Sequence, residues 1–201
     1  VREIIQSGIL PEGALQLVCG GVGDLFDHLT CQDVVTFTGS ASTGKMLKRH
    51  PVIVDNAVRF NMEADSLNCC ILGPDAEPGT EEFNLFIKEV SREMTAKAGQ
   101  KCTAIRRTIV PAHLTEAVIS ALSERLKGNV IGDPAVEGVR MGPLATHAQV
   151  KDVKEKVREL MSCSELVYGD LENVEVVGAD SKRGAFISSL LLYCNDPFKH
   201  T

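Results

Sequence analysis

Apolar and polar positions follow two rhythms along the chain. From Glu81 to Ala98 the residues Phe83, Phe86, Ile87, Val90 and Met94 recur at steps of three and four. That spacing gathers them on one face and predicts a helix over 81–98, closed by Gly99. The same step predicts helices over Thr115–Lys127, through Val118, Ile119, Leu122 and Leu126, and over His147–Met161, through Val150, Val153, Val157 and Leu160. Ala41–His50 reads as a helix stopped before Pro51, and Val1–Ser7 as the end of another, closed by Gly8. A short helix is expected within 22–29. Apolar or β-branched runs predict strands at Leu15–Gly20, Asp33–Gly39, Val58–Glu63, Leu67–Gly73, Arg107–Pro111, Glu165–Tyr168 and Ala185–Tyr193. Strand, helix and strand alternate at the spacing of βαβ units, which implies an α/β fold with a parallel sheet. The polar, turn-rich Pro74–Thr80 suggests a boundary between a first domain, 1–73, and a second, 74–201.

Composition narrows the function classes. Of 201 residues, 44% are hydrophobic and 24% charged, so a packed core is expected and disorder is not. A net charge of −6 without a basic stripe argues against nucleic acid. No apolar run reaches the roughly 18 residues of a membrane span, and the first residues do not read as a charged-then-apolar signal segment. The seven cysteines are irregularly spaced without a CxxC pair, and His28, His50, His113, His147 and His200 are scattered. A zinc or other metal site is therefore not expected, and neither is a Cys–His pair. Reduced thiols in the cytoplasm are the simplest reading. The chain opens at Val1 inside a helix and stops at Thr201 after an apolar run, which reads as an excerpt of a longer polypeptide.

Four places carry candidate chemistry. In TFTGSASTGKM, Thr36–Met46, a strand runs through Thr38 into Gly39 and Ser40, and a helix follows through Thr43. A helix start there favours a phosphate, and so would an ordinary Gly-Ser turn with a serine cap. The string also nearly matches the P-loop pattern through Gly39, Gly44 and Lys45, but Met46 lacks the hydroxyl that pattern needs for magnesium. GGVGD, Gly20–Asp24, is a second glycine turn after a strand and a weaker signal. Glu63 ends a strand expected to be largely buried, where partial burial would suit a general base; a strand-end glutamate facing water is the plainer alternative. Cys102, in GQKC (Gly99–Cys102), lies in a polar turn that suits a reactive thiol. The alternative for any cysteine is a small buried hydrophobe, which Cys69 and Cys70 fit best. Lys101 could support a thiolate if its side chain turned that way.

Together, FTGS (Phe37–Ser40), Glu63, GQKC, GDP (Gly132–Pro134) and MGPL (Met141–Leu144) resemble the aldehyde dehydrogenase superfamily in content and order. The resemblance covers essentially the whole chain. It implies part of a Rossmann-like cofactor domain over 1–73 and part of an α/β catalytic domain over 74–201. It implies Cys102 as nucleophile, Glu63 as general base, and Gly39, Ser40, Thr38, Thr43 and Gly23 on the cofactor side. The family's ELGG reads Glu63-Ala64-Asp65-Ser66 here, so an aspartate stands at a glycine position, and Cys102 follows Glu63 by 39 positions, a longer gap than most members have. With MEADSLNCC and AGQKCTAIRR, these departures are similar to one branch. Its members oxidise semialdehydes carried on coenzyme A in phenylacetate and benzoate degradation, one of them as half of a bifunctional protein, with a preference for NADP over NAD. The resemblance further implies a homo-oligomer. The family's oxyanion asparagine and its ExFGP segment would fall outside residues 1–201, so little activity is expected of this chain alone. A P-loop nucleotide-binding protein and an inactive family relative stay open as alternatives.

Overall fold

In the computed structural model, which describes residues 1–196 and 198, the chain folds as two units, one ending at Asp65 and the other starting at Ser66. His200 and the end of the 74–201 span lie outside the described residues.

The first unit runs through α1 (Arg2–Gln6), a 3-10 turn at Leu25–His28, β1 (Val34–Gly39), α2 (Ala41–Lys48), α3 (Pro51–Asp55) and β2 (Arg59–Ala64). β1 and β2 pair in parallel, from Val34 beside Arg59 to Gly39 beside Ala64. Ser40 starts α2: its backbone is extended and its Oγ accepts the Thr43 N–H at 3.3 Å. Pro51 ends the reach of α2 and also opens α3, because its fixed φ suits a first helical position. The sequence reading anticipates only the stop. The strand expected at Leu15–Gly20 does not form. Leu17 and Val18 are exposed there, and without a partner for its N–H and C=O groups an apolar run gains nothing from the strand conformation.

The second unit contains β3 (Asn68–Ile71), α4 (Glu81–Thr95), β4 (Ile105–Ile109), α5 (Thr115–Lys127), α6 (His147–Leu160), β5 (Glu165–Tyr168) and β6 (Leu191–Tyr193). β3 and β4 pair in parallel with α4 as their crossover, and β5 and β6 pair antiparallel. Among the described residues, the parallel pairing expected is found in two separate pairs, β1–β2 and β3–β4, beside the antiparallel β5–β6. Because β3 finds its partner in β4, it belongs with the second unit, and the units divide ahead of Gly73. Phe83, Phe86, Ile87 and Val90 of α4 pack with Leu114, Val118 and Leu122 and with Leu72 beyond β3. A second cluster joins Leu144, Ala185 and Ile187, with Val150 and Val153 of α6 against it. Of the strand expected over Ala185–Tyr193, only Leu191–Tyr193 pairs; the earlier part is buried chain whose Ala185 C=O accepts the Leu144 N–H at 2.9 Å. α6 starts in a capping box between Thr146 and Gln149.

The GDP and MGPL strings meet as backbone. Gly132 N–H donates to the Met141 C=O at 3.0 Å, Asp133 N–H to the Val177 C=O at 2.9 Å, and Val177 N–H to the Ile131 C=O at 2.9 Å. A β-carbon on Gly132 would fall on the Val177 carbonyl, so this approach requires glycine.

Candidate active site

The helix expected to reach Ala98 stops at Thr95 and tightens into a 3-10 turn, Ala96–Gly99. Lys97, Ala98 and Gly99 follow in the left-handed region, with φ of +52°, +53° and +71°. For the two non-glycine residues that conformation costs about 1–2 kcal/mol each, so surrounding contacts must hold it. Ala98 packs on the second apolar cluster, and Gln100 Nε2 donates to the Lys97 C=O at 2.9 Å. Gln100 also reaches the MGPL segment. Its Nε2 donates to the Pro143 C=O at 3.3 Å, and its Oε1 accepts the Ala145 N–H at 3.0 Å. GQKC and MGPL are thereby joined, which accounts physically for their occurring together.

Cys102 follows as the second residue of a turn closed by the Ala104 N–H on the Lys101 C=O at 3.2 Å. Ala104 is buried, whereas Cys102 is exposed. On the β3 side, Asn68 Nδ2 donates to the Cys102 C=O at 2.6 Å and to the Ala104 C=O at 3.2 Å. Lys101 turns away from any role beside the thiol: its Nζ lies 2.7 Å from the buried Glu93 carboxylate. Lys101 first, and Arg92 after it, hold the Glu93 carboxyl below its ordinary range. Cys70 contrasts with Cys102. It packs against the α4 core, and burial, then Cys69, push its thiol up. Cys69 is exposed, contrary to the buried reading, because the face of β3 opposite α4 carries no cover within this unit.

The first unit holds the other residues. α2 starts directly after β1, and no acidic residue occupies its first turn. Its first N–H groups therefore present a positive helix end that an anion could take. Ser40 Oγ also bonds the Thr43 hydroxyl at 2.9 Å, so Ser40 and Thr43 brace that turn. Phe37 folds over Gly39, where a β-carbon would come within 2.5 Å of the ring. Thr38 is the register partner of Glu63, which puts Glu63 at the strand end where α2 begins. Glu63 is exposed, so the partial burial expected for it is not found within this unit, where β2 is paired on one edge, with β1. Asp65, at the family's glycine position, takes φ +54° and donates its N–H to the Gly39 C=O at 3.3 Å. Gly23 sits in a turn at φ +56°. No backbone hydrogen bond joins it to the β1–α2 turn among the described residues.

The P-loop alternative is removed by geometry. Gly44 and Lys45 lie inside α2, with Gly44 buried against Met62 and Phe37, not in a loop ahead of a helix. Sequence reasoning missed Asn68, Glu93 and the reach of Gln100. An asparagine opening an apolar strand and a glutamate on the packed side of α4 were the available signals.

Comparison with known proteins places the chain among relatives. The profile of the aldehyde dehydrogenase family matches residues 1–197. A 3,4-dehydroadipyl-CoA semialdehyde dehydrogenase of Aromatoleum evansii is 50% identical over 195 residues, covering 97% of this chain and 38% of that protein. An aldehyde dehydrogenase family 7 member A1 of Malus domestica is 26% identical over 164 residues, 81% of this chain and 31% of its own length. Among solved structures, betaine aldehyde dehydrogenase of Staphylococcus aureus in complex with NAD+ superposes with a TM-score of 0.80 at 22% identity. That match covers 95% of this chain and 37% of the other, and at this identity it speaks for the fold. The chain thus spans about 38% of the length of the first of these relatives.

Proposed function

We propose, since this chain belongs to the aldehyde dehydrogenase family, that Cys102 is the nucleophile and Glu63 the general base of an NAD(P)-dependent oxidation of an aldehyde to a carboxylic acid. The observation that carries this reading is the Cys102 turn. An exposed thiol stands on a backbone held by Asn68 and Gln100, after two non-glycine residues kept in a costly conformation. The Cys102 thiolate attacks the aldehyde carbon, forming a C–S bond and moving the carbonyl electrons to oxygen. The Cys102 N–H is a donor available to that oxyanion. The nicotinamide cofactor, when bound, supplies the hydride acceptor. Cys102 then holds the acyl group as a thioester. Glu63 takes a proton from water, the water oxygen attacks the acyl carbon, and the C–S bond breaks to return the thiolate.

The head of α2 fits the cofactor's phosphates, with Gly39, Ser40 and Thr43 at the turn and Thr38 at the strand end beside Glu63. Gly23 belongs to the same side by resemblance. The unit ending at Asp65 is the cofactor side and the unit starting at Ser66 the catalytic side. A semialdehyde carried on coenzyme A is the substrate, supported by the name of the 50% identical relative. NADP is preferred over NAD, following the branch resemblance; the full-length protein is a homo-oligomer, following the family resemblance, and is cytoplasmic, following the reading of its cysteines as reduced thiols. Among the described residues no helix is long and apolar enough to cross a membrane.

Two variants of the full-length protein test the roles. Cys102→Ala abolishes both the burst and the steady production of reduced cofactor. Glu63→Gln keeps a burst near one per active site while turnover falls by roughly a hundredfold, since general-base contributions are of that order. Equal loss of burst and turnover in Glu63→Gln removes it from the base role.

A further inference from the structure

One side chain ties the Cys102 turn to the adjoining strand. Asn68 uses its carboxamide nitrogen on two carbonyls of the same turn, 2.6 Å to Cys102 and 3.2 Å to Ala104, which lie 34 and 36 positions along the chain. The Cys102 carbonyl belongs to the central peptide of the Lys101–Ala104 turn. That peptide distinguishes the two common turn types: flipping it sends the carbonyl to the opposite face and reverses the Thr103 N–H. The β3–β4 register shifts between Asn68 and Cys69, so that Asn68 faces Ile105 while Cys69 faces Arg107. The residue left unpaired by this shift is Arg106 on β4, so the ladder is interrupted just past the turn while Asn68 keeps its place at the start of β3 and grips the turn.

We propose that Asn68 is a positioning residue for the Cys102 thiol. It fixes the central peptide of the turn and holds the Cys102 and Ala104 carbonyl dipoles toward β3, away from a thiolate they would repel. The proposal rests on reading Cys102 as the nucleophile. Asn68 touches neither substrate nor cofactor in this role, so its loss acts on the chemical step and on thiolate formation, and not on substrate binding.

The test compares Asn68→Leu and Asn68→Gln with wild type in the full-length protein. Turnover is measured together with the pH midpoint of Cys102 alkylation by iodoacetamide, followed by peptide mapping. Asn68→Leu keeps the bulk and removes the donor. Its kcat falls about tenfold or more with KM for the aldehyde nearly unchanged, because small misplacements of a reacting group cost that much, and its alkylation midpoint moves to higher pH. Asn68→Gln keeps the donor and recovers most of both. Wild-type kcat and midpoint in Asn68→Leu overturn the proposal, and so does a Gln variant as impaired as the Leu one, which would mean that shape matters and the donor does not. If Asn68→Leu does not fold, Asn68→Ser decides instead: its single short donor gives a partial loss of kcat at constant KM, and wild-type turnover overturns the proposal. A Cys102→Ala control separates the two readings. Activity surviving in it overturns both, whereas an inactive control beside a normal Asn68→Leu overturns only the role of Asn68.

Discussion

At the residue scale, two side chains, Asp65 and Glu93, show how local geometry and pairing shape this chain. Asp65 stands where the family resemblance would place a glycine, and its backbone takes the left-handed conformation a glycine readily adopts. Aspartate tolerates that region better than most residues, which reconciles the departure with the geometry. Asp65→Gly is therefore expected to stay within about 1 kcal/mol of wild type, and Asp65→Val to lose about 1–2 kcal/mol, both read from denaturant unfolding. Glu93 illustrates a different dependence. Its carboxyl is held below the ordinary 4.5 by Lys101, so the pair stabilises the fold above that value. The stabilisation is lost as pH falls through the lowered value in the folded protein. Thermal melts across an acid series should show wild type losing stability more steeply than Glu93→Gln, which starts lower at neutral pH. Neither residue was legible as such. Asp65 could be seen to break a pattern, but its φ depends on the neighbouring Gly39 carbonyl; the Glu93 partnership joins a helix to a loop eight residues on.

At the scale of elements, periodicity identified what local packing decides. Thr115–Lys127 has its predicted bounds, and α6 ends one residue short of its predicted end, because each carries a continuous apolar face and α6 also opens in a capping box. The end of α4 was misread because three left-handed residues in succession are imposed by contacts with segments far along the chain, Gln100 with Pro143 and Ala145 among them. The Leu15–Gly20 run was misread for a related reason: strand formation depends on a partner, which no local pattern supplies. GDP and MGPL were legible as family strings but not as a joint. The structure makes them a backbone junction at Gly132. Gly132→Ala should destabilise the second unit by about 2 kcal/mol or more, since the obstructing atoms are backbone and cannot turn aside. A wild-type melting temperature in that variant would show that the junction yields.

At the scale of the whole molecule, the two units differ in how far they bury their apolar residues. The second has a continuous core under α4 and α5. In the first, among the described residues, Ile53 and Val58 are the buried apolar side chains, while Ile4, Ile5, Ile9, Leu17, Val18 and Val54 are exposed. The chain spans 38% of the length of its 50% identical relative. Glu63 lies in the first unit and Cys102 in the second. The roles proposed for them come from family strings, whereas their surroundings could not be read there: Glu63 is exposed where burial was expected, and the contact that holds the Cys102 carbonyl comes from Asn68, which no string singled out. Four cysteines, Cys19, Cys31, Cys69 and Cys102, are exposed, so access alone does not select among them. The decisive measurement is mass mapping of acid-quenched full-length Glu63→Gln during oxidation of a coenzyme A-linked semialdehyde with NADP. The expected result is an acyl adduct confined to the peptide bearing Cys102. An adduct on another cysteine, or a burst of reduced cofactor with no adduct at Cys102, contradicts Cys102 as the nucleophile.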